Sequence, residues 1–371
     1  MVLNDPSAVS KPTSHRRHTA TLGKWLLRLS LGLILVGVLF AWQGRTVTLA
    51  LQKASWPLVA CAIAFYLGAQ LLSAARWRLL LNAALRAKEV SAAPGEDATT
   101  PLSLLECYRI YLIGMFWNLW MPTAIGGDAM RAYLAGRRCG DIPLAASAIF
   151  MERLTGFIAL VAIGVLGAAN YAAWVLKATS SDPGAGFLRA LFVGILAGLL
   201  CAGVLIALFV ARRFAYRLDS NGEIKETSDF KGKIMRAWIQ IHRALDLYLQ
   251  PSPRGALIGA VAMSLIFQSS LIALNVLLAH AAGLALPLLI LVWLVPALSL
   301  ASMLPLGIGG LGVRETAAVA LLSNAPTELV HADAGQIIAW SLLSQVTLWL
   351  SALPGAIAHA LSRNEEKPKQ K

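Results

Sequence analysis

An all-α, polytopic membrane protein, built from two inverted copies of one helical unit, is the fold class that three observations predict. The first is composition: of 371 residues, 57% are hydrophobic and only 14% charged, well beyond the apolar share of soluble domains, and several apolar runs exceed about 18 residues. The second is an internal repeat. Pro122-Thr-Ala-Ile-Gly-Gly-Asp-Ala-Met-Arg131 recurs as Pro305-Leu-Gly-Ile-Gly-Gly-Leu-Gly-Val-Arg314, matching P-x-x-I-G-G-x-x-x-R at every defined position. Each copy follows a long apolar run. Paired proline- and glycine-broken segments at corresponding positions of two halves mark the substrate region of repeat-built membrane proteins. The third is the clustering of Lys and Arg at the ends of the apolar runs, which is how a membrane protein sets its orientation.

Taken in order, the runs are Leu22–Trp42, Ala54–Ala75, Leu102–Met121, Pro143–Ala169, Phe187–Val210, Gly255–Ala282, Leu284–Leu304 and Gly335–Leu361. Each is long enough to cross the hydrocarbon as a helix, so about eight spans are expected, together with two re-entrant or broken helices. Leu22–Trp42 resembles a signal peptide in length, but Phe40-Ala-Trp-Gln43 offers no small-x-small cleavage site, and it reads as a retained anchor. Within Phe187–Val210, small residues recur at 190, 194, 198 and 202, which suits close helix packing. The polar inserts Arg86–Thr100 and Ala211–Arg254 have neither the length nor the apolar content of a soluble domain with its own core. The expected organisation is a tail over 1–21, one transmembrane domain over 22–361 with repeats at about 54–210 and 237–361, and a basic tail over 362–371.

The amino terminus, the stretch with Arg76, Arg78, Arg86 and Lys88, the segment Arg131 to Arg138, the Ala211–Arg254 insert and the tail are all basic. The positive-inside rule assigns them all to the cytoplasm. Eight plain crossings cannot satisfy that assignment, because Leu102–Met121 would leave Arg131, Arg137 and Arg138 outside. It is satisfied if each repeated segment returns part-way as a broken or re-entrant helix buried against protein or water, so that the two copies point in opposite directions. A bacterial cytoplasmic membrane with the amino terminus inside is the expected location.

The net charge of +13 does not indicate nucleic acid, since the basic residues are not interleaved with aromatics on a soluble domain. Cys61, Cys107, Cys139 and Cys201 stand singly, without metal-ligand spacing. The six histidines, His15, His18, His242, His280, His331 and His359, are scattered. No metal set, nucleophile and base pair, or cofactor motif is recognisable. Gly307-Ile-Gly-Gly-Leu-Gly312 spells a dinucleotide fingerprint, but its neighbours are apolar runs rather than a βαβ unit.

The ordered set Arg109-Ile-Tyr-Leu-Ile-Gly-Met-Phe-Trp-Asn-Leu-Trp-Met-Pro122, Gly126-Gly127-Asp128-x-x-Arg131, Glu152-Arg153-Leu-Thr-Gly156 and Pro305 through Arg314-Glu315 resembles the transmembrane family of lysylphosphatidylglycerol synthases, often called flippase-like. The resemblance runs from the second span to the last. Members that synthesise aminoacylated lipid carry a soluble aminoacyl-transferase domain after the membrane part, and this chain ends soon after Leu361. What the resemblance implies is the lipid-handling membrane half alone. The second copy departs from the first in having Leu311 where Asp128 stands, so the two half-sites are not chemically equivalent.

An ionised side chain near the bilayer centre costs roughly 2.5–3.5 kcal/mol on insertion scales, so those kept there pair or line a wet cavity. Asp128 with Arg131, Glu152 with Arg153, and Arg314 with Glu315 are the candidates, with Asn118 as a capping or hydrogen-bonding partner of the broken segment. The pairs Gly126-Gly127 and Gly309-Gly310 would let backbone approach a ligand, and a helix starting after either pair would aim free N–H groups at an anion. Arg131 and Arg314 are expected to face one shared cavity with Asp128, Glu152 and Glu315. The plain alternative is a neutralised structural lattice. Trp117 and Trp120 are expected at the lipid interface. The function these residues favour is movement or presentation of an anionic lipid head group between leaflets. A lipid-modifying intramembrane enzyme and a non-catalytic subunit of a lipid or envelope biosynthesis complex are the alternatives.

Overall fold

The computed structural model describes Ala41, residues 45–91, 100–120, 125–178, Tyr248, and residues 254–303, 312–323 and 332–365. These form α1 (45–53), α2 (Trp56–Ser91), α3 (Leu104–Trp120), α4 (Ile125–Cys139), α5 (Ile142–Ala178), α6 (Arg254–Ala281), α7 (Leu288–Ser302), α8 (Val313–Ser323), α9 (Ala334–Ala352) and α10 (Pro354–Glu365). The described chain is all-helical, as expected. The runs Leu22–Trp42 (apart from Ala41) and Phe187–Val210 and the Ala211–Arg254 insert (apart from Tyr248 and Arg254) lie outside the described residues, as do Gly309 and Gly310.

Local chemistry sets the helix ends. Ser103 and Glu106 exchange backbone and side-chain hydrogen bonds at the start of α3, and Asp333 with Gln336 does the same for α9, so each box satisfies otherwise orphaned N–H groups. Gly140, at a φ of 77°, closes α4 in the left-handed region that favours glycine. Asp141 then accepts from the Leu144 N–H at 2.8 Å and opens α5.

Among the described residues four helical segments, Trp56–Val90, Ile142–Trp174, Gly255–Ala281 and Ala334–Leu361, are long and apolar enough to cross a membrane. Three run expectations change in detail. The second run does not stop at Ala75: α2 continues through Arg76 and Arg78 to Ser91, because Arg76 finds a buried counter-charge instead of needing water. Leu284–Leu304 yields only the 15-residue α7, about 22 Å long and short of a crossing. Gly335–Leu361 bends at Leu353, because Pro354 has no N–H to continue the ladder.

The helix contacts come in matched pairs. Within α2–α5, contacts join α2 to α3, α3 to α4, α4 to α5 and α2 to α5; within α6–α9 the corresponding set joins α6 to α7, α7 to α8, α8 to α9 and α6 to α9. Between the sets, α5 meets α6 and α7 as α9 meets α2 and α3. The equivalent helices α2 and α6 pack on each other and run antiparallel: the Ser55 N–H donates to Ala281 O, Arg76 to Ser264, and Leu79 lies against Gly259. A repeat whose equivalent central helices are antiparallel is an inverted repeat. One apolar core gathers the carboxyl half of α2 with α3, α4 and the start of α5, and a second gathers α6, α7, α8 and α9 with the start of α2.

Candidate functional site

Between the two cores lies a cavity of about 280 Å³, walled by α2, α3, α4, α5 and α6. Its floor depends on close approach of α3 and α4. A Cβ on Gly127 would come within 2.1 Å of the Gly114 carbonyl oxygen, and one on Gly114 within 2.6 Å of the Arg131 side chain. Asn118 completes this junction by accepting from the Gly127 N–H at 2.7 Å. The hydrogen-bonding role expected of Asn118 is therefore present. The glycine pair acts differently from expectation: α4 begins at Ile125, before the pair, and Gly127 admits the neighbouring backbone of α3, not a ligand. Its N–H is already taken.

Asp128 and Arg131 follow on successive turns of α4, and the carboxylate sits in the first turn, where the helix dipole favours it. Arg131 is 2% exposed and Glu152, from α5, 1%. Arg131 Nη2 donates to Glu152 Oε2, and Nη1 to Asp128 Oδ1 at 3.3 Å. Its guanidinium carbon lies 4.1 Å from the Tyr111 ring centre and 4.5 Å from that of Trp77, two buried cation–π contacts. The opposite oxygen of Glu152 accepts from Arg76 Nη2 at 3.0 Å, Ser73 Oγ at 3.1 Å and Tyr111 Oη at 3.3 Å. Arg76 Nη1 reaches across to Ser264 of α6 at 2.8 Å, and Gln268 donates to the Gly156 carbonyl at 3.1 Å.

Arg153 occupies a different environment. Its side chain is 53% exposed and that of Asp128 21%. Arg153 Nε and Nη2 grip the two oxygens of Asp128 at 2.9 and 2.8 Å, the bidentate geometry that suits guanidinium and carboxylate. The charged groups of the cavity, among the described residues, are thus three guanidiniums (Arg76, Arg131, Arg153) against two carboxylates (Asp128, Glu152), an excess of one positive charge.

Arg314 and Glu315 are not among the described residues that line this cavity, so the expectation of a single shared cavity is corrected. Arg314, 7% exposed, donates to the Asn275 side-chain carbonyl at 3.1 Å, and Ser344 reaches the same oxygen at 3.4 Å. Glu315 accepts from the Gly312 N–H at 2.7 Å and from Ser341 at 3.1 Å. Leu311 replaces the aspartate of the first copy, so Arg314 lacks the one-turn counter-charge that Arg131 has and turns to the side-chain carbonyl of Asn275 on α6. Trp117, expected at the lipid interface, is half-buried and edge-on to His359 of α10, with ring centres 5.7 Å apart. The Trp120 side chain lies outside the description.

Sequence reasoning missed Tyr66, Gln70, Ser73 and Arg76 on α2, Tyr111 on α3, and Ser264, Gln268 and Asn275 on α6. The signal was present as spacing: the α2 set falls at i, i+4, i+7, i+10, and the α6 set at i, i+4, i+11, each one face of a helix.

Compared with known protein families, residues 25–355 match the lysylphosphatidylglycerol synthase TM region. No curated protein and no solved structure matches the chain.

Proposed function

Because the chain belongs to the family of the lysylphosphatidylglycerol synthase TM region, we propose that its work on membrane lipid is to move or present an anionic lipid head group between leaflets, without making or breaking a bond itself. The observation that carries this reading is the excess, among the described residues, of one guanidinium over carboxylates in a cavity walled by both repeats. A buried excess cation is costly alone, and a phosphate would balance it through charge-assisted, bidentate hydrogen bonds.

The arginines divide the labour. Arg76, Arg131 and Glu152 form the buried lattice that holds α2, α4, α5 and α6 together. Arg153, half-exposed and paired among the described residues with Asp128, is the group that a head group recruits, with the phosphate competing against the Asp128 carboxylate. Asp128 keeps the empty site near neutral. The amino terminus lies in the cytoplasm of a bacterial cell, and α4 and α8 belong to re-entrant segments. The test is reconstitution of the purified protein into liposomes with fluorescent phospholipid and polyprenyl-phosphate analogues, scoring leaflet exchange. Exchange of an anionic lipid that depends on Arg153 is expected. Production of a covalently altered lipid by the protein alone would make it an enzyme, and silence across the whole anionic panel would favour a subunit role.

A further inference from the structure

The charged cavity does not end at its polar walls. Tyr66, Met115 and Asn118 line it and also line a second, larger space of about 500 Å³ between α2, α3 and α9. The rest of that space is apolar, apart from Gln345: Leu119, Leu348, Trp349, Leu350, Ala352 and Leu353. Trp349, Leu350 and Leu353 are exposed, so this groove opens outward from α9, a segment apolar enough to lie in hydrocarbon.

A charged chamber joined through shared residues to an outward-facing apolar groove has the polarity pattern of a single phospholipid. We propose that the groove between α2, α3 and α9 holds an acyl chain of the lipid whose head group occupies the charged cavity, and that lipid enters sideways from the bilayer through this opening. This rests on the head-group reading above and commits the groove to the same molecule. Two features support the assignment. The excess positive charge sits at one end only, so an anionic head group is directed inward and its chain outward. Three side chains line both spaces, so the two adjoin and one lipid can occupy both. The groove walls belong to α2 and α3 of the first repeat and α9 of the second, so the portal is a seam between the repeats.

The test uses the full-length protein in detergent with two probes: long-chain phosphatidylglycerol, and glycerophosphoglycerol, its soluble counterpart without acyl chains. Leu348→Trp and Leu353→Trp each place a bulky ring in the groove. Long-chain phosphatidylglycerol is expected to bind each variant about tenfold or more weakly than wild type, with glycerophosphoglycerol bound equally by all three and the melting temperature unchanged. Unchanged long-chain binding in both variants overturns the groove assignment and leaves the head-group site standing. Wild type that binds neither probe, or variants that lose both equally while remaining folded, overturns the assignment too; only the former result also removes phosphatidylglycerol-type head groups from the proposed function. Should one variant not fold, the other carries the test, Leu353 being exposed and tolerant of a larger side chain.

Discussion

Asp128 engages two arginines of opposite character: the half-exposed Arg153 by two hydrogen bonds of 2.9 and 2.8 Å, and the buried Arg131 by one of 3.3 Å. The same carboxylate therefore closes the buried lattice and covers the exposed cation.

Arg153→Gln tests the exposed side. Arg153 is half-exposed and Asp128 keeps Arg131 as a partner when it is lost, so the variant should melt close to wild type. Leaflet exchange in liposomes should fall by about tenfold or more, the loss expected when a charge-assisted contact of about 1.5–3 kcal/mol disappears. Undiminished exchange would take Arg153 out of the mechanism.

Glu152→Gln tests the buried side and should behave in the opposite way. Removing the carboxylate takes from Arg76 its buried counter-charge and leaves Arg131 with the longer Asp128 contact of 3.3 Å among the described residues, at a cost of about 3–5 kcal/mol. Denaturation of the purified protein in mixed micelles would read this directly. A variant as stable as wild type would mean that the three groups are not a lattice.

Gly127→Ala separates helix packing from ligand approach. The added methyl would meet the Gly114 carbonyl oxygen at 2.1 Å, a backbone atom that cannot rotate away, so the α3–α4 junction must open and the melting temperature should drop. Gly68→Ala is the control, with nothing within 4 Å of the new carbon. It should raise stability by about 0.5–1 kcal/mol, because alanine is the better helix former.

Asn275→Leu addresses the second repeat. Arg314 loses its side-chain partner, and leaving a buried charged donor unsatisfied costs about 1–3 kcal/mol or more. The Arg131 cavity shares no hydrogen bond with that cluster among the described residues, so the folded fraction should retain wild-type leaflet exchange. A specific activity that falls with stability would tie the two clusters into one site.

The sequence revealed the duplication, and the structure supplied its geometry. The repeated P-x-x-I-G-G-x-x-x-R pattern predicted a duplicated helical unit, and the contact pattern of α2–α5 and α6–α9 repeats accordingly. The charged residues Asp128, Arg131, Glu152 and Arg153 were readable because an ion within an apolar context is conspicuous. Arg76 was not: at the edge of an apolar run it resembles an ordinary loop cation, and only the fold brings Glu152 to it. Ser264 and Gln268 were hidden for a related reason, since a serine or glutamine lowers the apolarity of a span too little to stand out. The separation of Arg314 from Arg131 could not be read from the repeat, because the pattern fixes backbone correspondence while the exchange of Asp128 for Leu311 decides where the guanidinium turns.

Arg76 is also a constraint on how the chain is made. Its counter-ion Glu152 lies 76 residues further along and its hydroxyl partner Ser264 lies 188 residues further. On a chain synthesised from its amino terminus, α2 leaves the ribosome with Ser73 as a partner for Arg76 but with no counter-ion for it. An unpaired guanidinium is excluded from acyl chains, so α2 has to wait at the headgroup boundary or in the insertion machinery until α5 arrives with the carboxylate. The seat that Ser264 provides comes later still. Assembly is therefore ordered by charge: a chain halted before α5 should leave α2 accessible to water-soluble reagents at Arg76 that the finished protein shields.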